Sequence, residues 1–252
     1  MGATLGASGY RIAAATGSVI GFGTLPGLGG VGGSLTSSTV TAITGTPGGL
    51  GYWLATSDGT VYAFGDAYPF PYVHPAARVV GIAATPAGDG FWEVTTTGSV
   101  YAFGRAAYDG RPGGTHALRG SVVGTASTAD GRGYYVVTSA GAVYGRGDAK
   151  HAGSAVGRPG SHAVAIASVP GTSSATPGYW VVMSSGAVYH FGSARGYGST
   201  PLGAPAVAIA PTPDGRGYWV VASSGAVRAF GDARSEGQPG PRPGGFVGIA
   251  TG

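Results

Sequence analysis

The sequence predicts an all-β fold, a six-bladed β-propeller with four-stranded blades, and three observations carry that prediction. The first is composition: 52 of 252 residues are Gly, 17 are Pro and only 10% are charged. An average globular domain has about 25% charged residues, so this chain is built for many tight turns and a weakly charged surface. The second is self-similarity: GYRIAAATGSVIGFG (9–23), GYWLATSDGTVYAFG (51–65), GFWEVTTTGSVYAFG (90–104), GYYVVTSAGAVYGRG (133–147), GYWVVMSSGAVYHFG (178–192) and GYWVVASSGAVRAFG (217–231) align without a gap. Their starts lie 42, 39, 43, 45 and 39 residues apart, so six copies account for the chain as one domain, 1–252. The third is a repeat split between the two ends, described below.

Each copy reads as a hairpin. A run such as YWVVAS is rich in strand formers, SSG, SDG or TTG places Gly where φ can be positive, and AVYAF resumes the strand. Another strand precedes each opening glycine: TVTAITG (39–45), VVGIAAT (79–85), VVGTAST (122–128), AVAIASV (163–169) and AVAIAPT (206–212). A sixth, FVGIATG (246–252), ends the chain and can complete the blade that GYRIAAATG opens, which closes a ring. A solenoid would instead require polar caps. A fourth, weaker strand is expected after each closing glycine, around YDG (108–110), HAGS (151–154) and YGS (197–199). Blades packed face to face bury both sides of a strand, which gives Trp53, Trp92, Trp180 and Trp219, at one equivalent position, a packing role.

With strands running from the axis outward, the turns after the first and third strands share one face. The crossings between blades lie on the other, and they vary most between copies. The crossing AYPFPYVHPAAR (67–78) interleaves Tyr68, Phe70, Tyr72 and His74 with three prolines. Stiffened aromatic rings suit a sugar-stacking or peptide-binding edge, and equally suit a cover for the outer edge of a blade. The crossing GRPGGTHALRG (110–120) carries Arg111, His116 and Arg119, a set that can receive an anion or simply stay solvated.

Other function classes find little support. The net charge of +4 comes from Arg scattered along the chain, which does not form a nucleic-acid groove. No apolar run approaches membrane-spanning length, and MGATLGASGY lacks the basic start and long apolar segment of a signal peptide. Seven of ten acids (Asp58, Asp66, Asp89, Asp130, Asp148, Asp214 and Asp232) fall in turns where Asp bonds nearby backbone. Glu93 stands where other copies have Leu, Val or Ile, and pairing with Arg11, the polar residue of another copy's strand, is expected. Convergence of Glu93 with a second carboxylate at the axis would indicate a glycosidase or lyase. The histidines, His74, His116, His151, His162 and His190, lack metal-ligand spacing, and no nucleophile or phosphate loop is present. The expectation is a non-catalytic protein without cofactor or metal. Arg146-Gly147-Asp148 reads as an adhesion tripeptide but aligns with the AFGDA turn of other copies, so only Arg146, in place of Phe, is unusual.

The phrase DGRGYWVVASSGAVRAFGDA (214–233), and VVGIAATP before the third copy, resemble the Gly-Tyr-Trp repeats of secreted and envelope-associated proteins of high-GC Gram-positive bacteria. The G-x-V-Y-x-F-G core is also similar, in architecture, to the repeat of the regulator of chromosome condensation family. The first resemblance implies an extracytoplasmic binding or scaffolding module, secreted or at the cell surface. Its signal peptide would lie outside this sequence, and its partner would be a cell-envelope glycan or another surface protein. Neither nucleic acid nor membrane insertion is expected, and the domain would act alone or within a larger assembly. A carbohydrate-active propeller, lectin or enzyme, and a structural subunit of a surface fibre are the alternatives.

Overall fold

The computed structural model describes residues 9–35 and 37–251. The first eight residues, read above for a signal peptide, and Gly252 of the last predicted strand lie outside them. The described residues form an all-β structure of six three-stranded antiparallel sheets in a repeat, β-propeller-like arrangement, with no helix. The first strands are β3 (Val40–Gly45), β6 (Val79–Ala84), β9 (Val122–Ser127), β12 (Ala163–Ser168), β15 (Ala206–Pro211) and β18 (Phe246–Thr251). The middle strands are β1 (Gly9–Ala14), β4 (Tyr52–Thr56), β7 (Gly90–Thr95), β10 (Gly133–Thr138), β13 (Gly178–Met183) and β16 (Gly217–Ala222). The third strands are β2 (Val19–Gly23), β5 (Val61–Phe64), β8 (Val100–Gly104), β11 (Val143–Gly147), β14 (Val188–Gly192) and β17 (Val227–Gly231). As the split repeat predicts, β18 pairs with β1, so the last strand completes the sheet that the first one opens.

The first strands pack in the order β18, β3, β6, β9, β12, β15 and back to β18, which sets the six sheets around a common axis. Every residue of the six middle strands is buried. A strand covered on both faces by neighbouring sheets explains why its sequence is a continuous apolar run and not an alternating one. The core is accordingly six clusters, one between each neighbouring pair of sheets. Each hairpin between middle and third strand turns on a glycine in the left-handed region, Gly59 at φ +88° for example, where a side chain would be strained.

One contact repeats at every sheet-to-sheet interface. Trp53, Trp92, Tyr135, Trp180 and Trp219 lay their rings on Phe91, Tyr134, Tyr179, Tyr218 and Tyr10 of the next sheet, with centroids 4.8–5.8 Å apart. At the sixth interface the Arg11 guanidinium lies 5.3 Å from the Tyr52 ring centre, a cation–π contact in the same place. Each of these six residues also donates to the carbonyl fifteen residues further on. Trp Nε1 reaches Tyr68, Ala107, Arg195 and Arg234 at 2.6–2.8 Å, the Tyr135 hydroxyl reaches Lys150 at 3.2 Å, and Arg11 reaches Pro26. The donor therefore ties the segment that follows each sheet to the sheet's middle strand.

That tie is why the predicted fourth strand does not form. The segments after β2, β5, β8, β11, β14 and β17 contain no strand among the described residues. Several of their carbonyls serve side chains, and one of their N–H groups does too: Ala152 N–H donates to the Tyr179 hydroxyl at 2.9 Å. The free edge of the third strand is met by side chains in turn, with Val143 N–H donating to Ser154 Oγ at 3.0 Å and Val227 N–H to Gln238 Oε1 at 3.3 Å. In the second copy Pro69, Pro71 and Pro75 supply no N–H at all, which a ladder needs.

The tyrosine that opens each middle strand makes a second tie, to the preceding sheet's outer segment. Tyr10, Tyr52, Tyr134, Tyr179 and Tyr218 donate to the carbonyls of Gly237, Gly29, Gly110, Gly153 and Gly198. The third sheet departs at both ends of this bond: Phe91 replaces the tyrosine and Pro71 the glycine. Phe70 covers Phe91 there, edge to face at 5.6 Å. The place of the missing hydroxyl bond is taken by this ring contact.

Two substitutions test these ties by urea denaturation. Trp180→Phe, which keeps a ring but leaves the Arg195 carbonyl without its donor, is expected to lower stability by about 2 kcal/mol or more. Phe91→Tyr, which restores the repeat's own residue, is expected to destabilise by about 1–3 kcal/mol because the added hydroxyl must enter a site packed by Phe70.

Candidate functional site

The six first strands enclose two axial cavities that meet at a girdle of Ile43, Ile82, Thr125, Ile166, Ile209 and Ile249, residues lining both. Thr125 donates its hydroxyl to the Tyr135 carbonyl at 2.8 Å, so the girdle presents no free donor there. On the face of the turns between first and middle strands the cavity measures about 530 Å³ and is lined by Thr, Pro, Ala and Ser with no charged residue. On the opposite face it measures about 350 Å³, and its wall is a ring of Thr41, Val80, Val123, Val164, Val207 and Val247. Arg78 and His162 are the charged or titratable side chains that line either cavity. Each stands next to a first strand, at positions occupied in the other copies by Thr39, Ser121, Pro205 and Gly245. Sequence reasoning passed over both, although aligning the residue before each first strand would have singled them out.

The turn acids bond backbone N–H groups only in part: among the described residues Asp58, Asp130 and Asp214 do, while Asp66, Asp89 and Asp232 meet threonine hydroxyls. The buried Thr46, Thr85, Thr128 and Thr212 hydroxyls donate to Asp66, Asp89, Asp130 and Asp214 at 2.8–2.9 Å. Asp130 and Asp214 also accept from the N–H groups of Arg132 and Arg216. Asp148 of the tripeptide belongs to this turn system, since its N–H donates to the Arg132 carbonyl at 3.3 Å. Burial and the neighbouring Asp130 carboxylate push the Asp148 carboxyl up, which is unlike a carboxylate displayed for a receptor.

The aromatic crossing divides into two pairs. Tyr68 and Phe70 lie 4.8 Å apart, and Tyr72 and His74 lie 5.2 Å apart, ring edge to ring face. Phe70 turns inward against Phe91 and so takes the covering role. Tyr68 and Tyr72 remain 63% and 52% exposed. The segment beneath them is held at three places: the Tyr68 carbonyl accepts from Trp53 Nε1, Phe70 is packed, and His74 Nδ1 lies 3.0 Å from the Asp58 carbonyl. The two exposed rings therefore sit on anchored backbone stiffened by prolines.

The basic crossing brings together only part of its predicted set. Arg111 and His116, both exposed, line a shallow cavity of about 500 Å³ with Thr96, Thr97 and Ser121, and Arg119 lines no part of it. The Arg111 guanidinium donates to the Thr97 carbonyl at 3.1 Å. The Arg111 carbonyl accepts from Arg146 Nε at 2.5 Å, and Arg146 also donates to the Gly145 carbonyl at 3.2 Å. Carbonyls thus replace the ring contacts of the missing phenylalanine. Arg119 serves as backbone, its N–H donating to the Tyr144 hydroxyl and its carbonyl accepting from Thr138.

Glu93 overturns the expected ion pair. Its side chain is fully buried in β7 with both carboxylate oxygens unpartnered, and it lines neither axial cavity. Arg11 lies at a different interface, where it donates to Pro26 and, at 2.8 Å, to Gly49. The two polar residues are thus separated by the second sheet. Where other interfaces set Val or Ile against Val at this level, Ala55 stands opposite Glu93 and Ala13 opposite Leu54, small residues making room for larger ones. Burial first, and the Asp58 charge second, push the Glu93 carboxyl from 4.5 to about 8.

The folded state therefore holds a proton that the unfolded chain releases near its ordinary value. Stability from this group is complete below about pH 4.5 and is lost as the pH rises through about 8. The melting temperature of the wild type is expected to fall across that window by at least about 4 °C, and the Glu93 contribution to the slope to vanish in Glu93→Gln; calorimetry at several pH values reads it.

Comparison with known proteins gives no family model and no curated protein that matches this chain, so the candidate sites rest on its own residues.

Proposed function

We propose that this chain is a six-bladed β-propeller that acts outside the cell as a non-catalytic binding module, engaging a cell-envelope glycan or a surface protein through the outer edge of its second blade. The observation that carries the reading is the pair Tyr68 and Tyr72, exposed rings on a segment anchored by Trp53, Phe70 and the prolines. Rings held this way lose little conformational freedom on binding, and their flat faces suit the apolar face of a sugar or a peptide side chain. The likeness to Gly-Tyr-Trp repeats of envelope-associated proteins supports the same partner class. The low charge of the chain, 10% of its residues, supports recognition by stacking and hydrogen bonds over ion pairing.

A glycan array and a pull-down against isolated envelope of a high-GC Gram-positive bacterium test this reading. Tyr68→Ala with Tyr72→Ala is expected to weaken capture at least about ten-fold, a loss near 1.4 kcal/mol, while the melting temperature stays that of the wild type. Phe70 is left intact in this variant because it packs against Phe91. Capture that survives the double substitution would sink the assignment of this edge.

A further inference from the structure

The smaller axial cavity has features that packing does not require. Its wall of five valines and Thr41 ends on the isoleucine girdle, and Thr41 spends its hydroxyl on the Ala55 carbonyl at 3.3 Å. The interior is therefore apolar, and its volume of about 350 Å³ falls within the usual range for small-ligand sites, about 300–1,000 Å³. No acidic residue lines it, while Arg78 and His162 do. These two precede β6 and β12, the strands on either side of β9, so both stand on one arc of the rim. Thr39, Pro205 and Gly245 at the equivalent positions leave the opposite arc uncharged.

Each rim residue keeps polar atoms without a partner among the described residues. The Arg78 guanidinium makes no hydrogen bond or ion pair among the described residues, and the one salt bridge among them joins Arg216 to Asp214. His162 Nδ1 lies 3.4 and 3.5 Å from the Ser161 and Ser184 hydroxyls, and Nε2 has no protein partner among those residues. Ser161, immediately before His162, has φ +75° and is the one non-glycine residue in the left-handed region among those described. Such strain persists only where surrounding structure enforces it, and it often accompanies a positioned side chain.

We infer that this cavity is a binding site for a small amphipathic carboxylate, its aliphatic tail seated among the valines above the girdle and its carboxylate met by Arg78 and His162. The planar guanidinium suits a carboxylate's two oxygens, and the apolar wall below the rim suits an aliphatic tail. The site is independent of the outer aromatic edge and stands whether or not that edge binds a glycan.

Isothermal titration of the intact chain with sodium octanoate, with 1-octanol and acetate as tail-only and charge-only probes, tests the inference. One saturable octanoate site is expected, with both control probes at least ten-fold weaker. Arg78→Ala with His162→Ala, at exposed positions that leave the fold unaltered, should bring octanoate down to the level of octanol. Val164→Phe, which narrows the cavity where the tail is seated, should weaken binding of both, with the melting temperature checking that this variant folds. Absence of saturable octanoate binding overturns the inference, as does binding that the rim double variant leaves unchanged.

Discussion

The arrangement depends on one repeated side chain, the residue second after each opening glycine of the middle strand. It touches the next sheet with one face and ties its own sheet's outer segment with its donor, so one side chain fixes both the spacing between sheets and the course of the chain beyond them. Tryptophan suits this position because it joins a large apolar ring to a single N–H. Tyr135 and Arg11 show what the position requires, since each keeps a flat group against the neighbour and a donor for the carbonyl fifteen residues on. Arg11 does so at the expense of burying a charge, and burial accordingly pulls its guanidinium down from its ordinary value.

Departures from the repeat come in matched sets because the interfaces are close-packed. Phe91 lacks the tyrosine hydroxyl where Pro71 lacks the glycine, and Phe70 occupies the difference. Ala55 faces Glu93 and Ala13 faces Leu54. Arg146 takes the place of a ring by turning its guanidinium to the carbonyls of Arg111, in an adjoining segment, and of its own neighbour Gly145, and the tripeptide around it remains a turn of the fold. Glu93 is the exception: room was made for its volume but no donor was supplied for its oxygens. A carboxyl in such surroundings stays protonated, so its chemistry is that of a neutral group up to mildly alkaline pH.

Both candidate sites lie where the repeat constrains the chain least. The crossings vary in length and composition because the ties need only certain carbonyls, leaving Tyr68 and Tyr72 free to face outward. The residues before the first strands are similarly free, and two of six carry a cationic or titratable group at the mouth of an apolar cavity. Scaffold and site are therefore separable, and variation at either site need not disturb the interfaces between sheets.

Much of the arrangement was legible in the sequence, because glycines at fixed offsets and apolar runs are local signals that repeat. The three strands of each copy, the turn glycines, the packing role of the tryptophans and the pairing of the last strand with the first all follow from them. The fourth strand and the Glu93–Arg11 pair were misread for a common reason: each depends on which groups meet across the structure, and hydrogen bonds from side chains to irregular backbone leave no period behind. The rim of the axis was likewise invisible, since Arg78 and His162 are 84 positions apart in the chain and come to one arc only when six first strands gather around a line. The sequence by itself thus determined the sheets and the turns, whose causes are local. Only the tertiary structure decided which carbonyls hold the outer segments, which acid is buried without a partner and which residues share the axial mouth, because those are consequences of contact between copies.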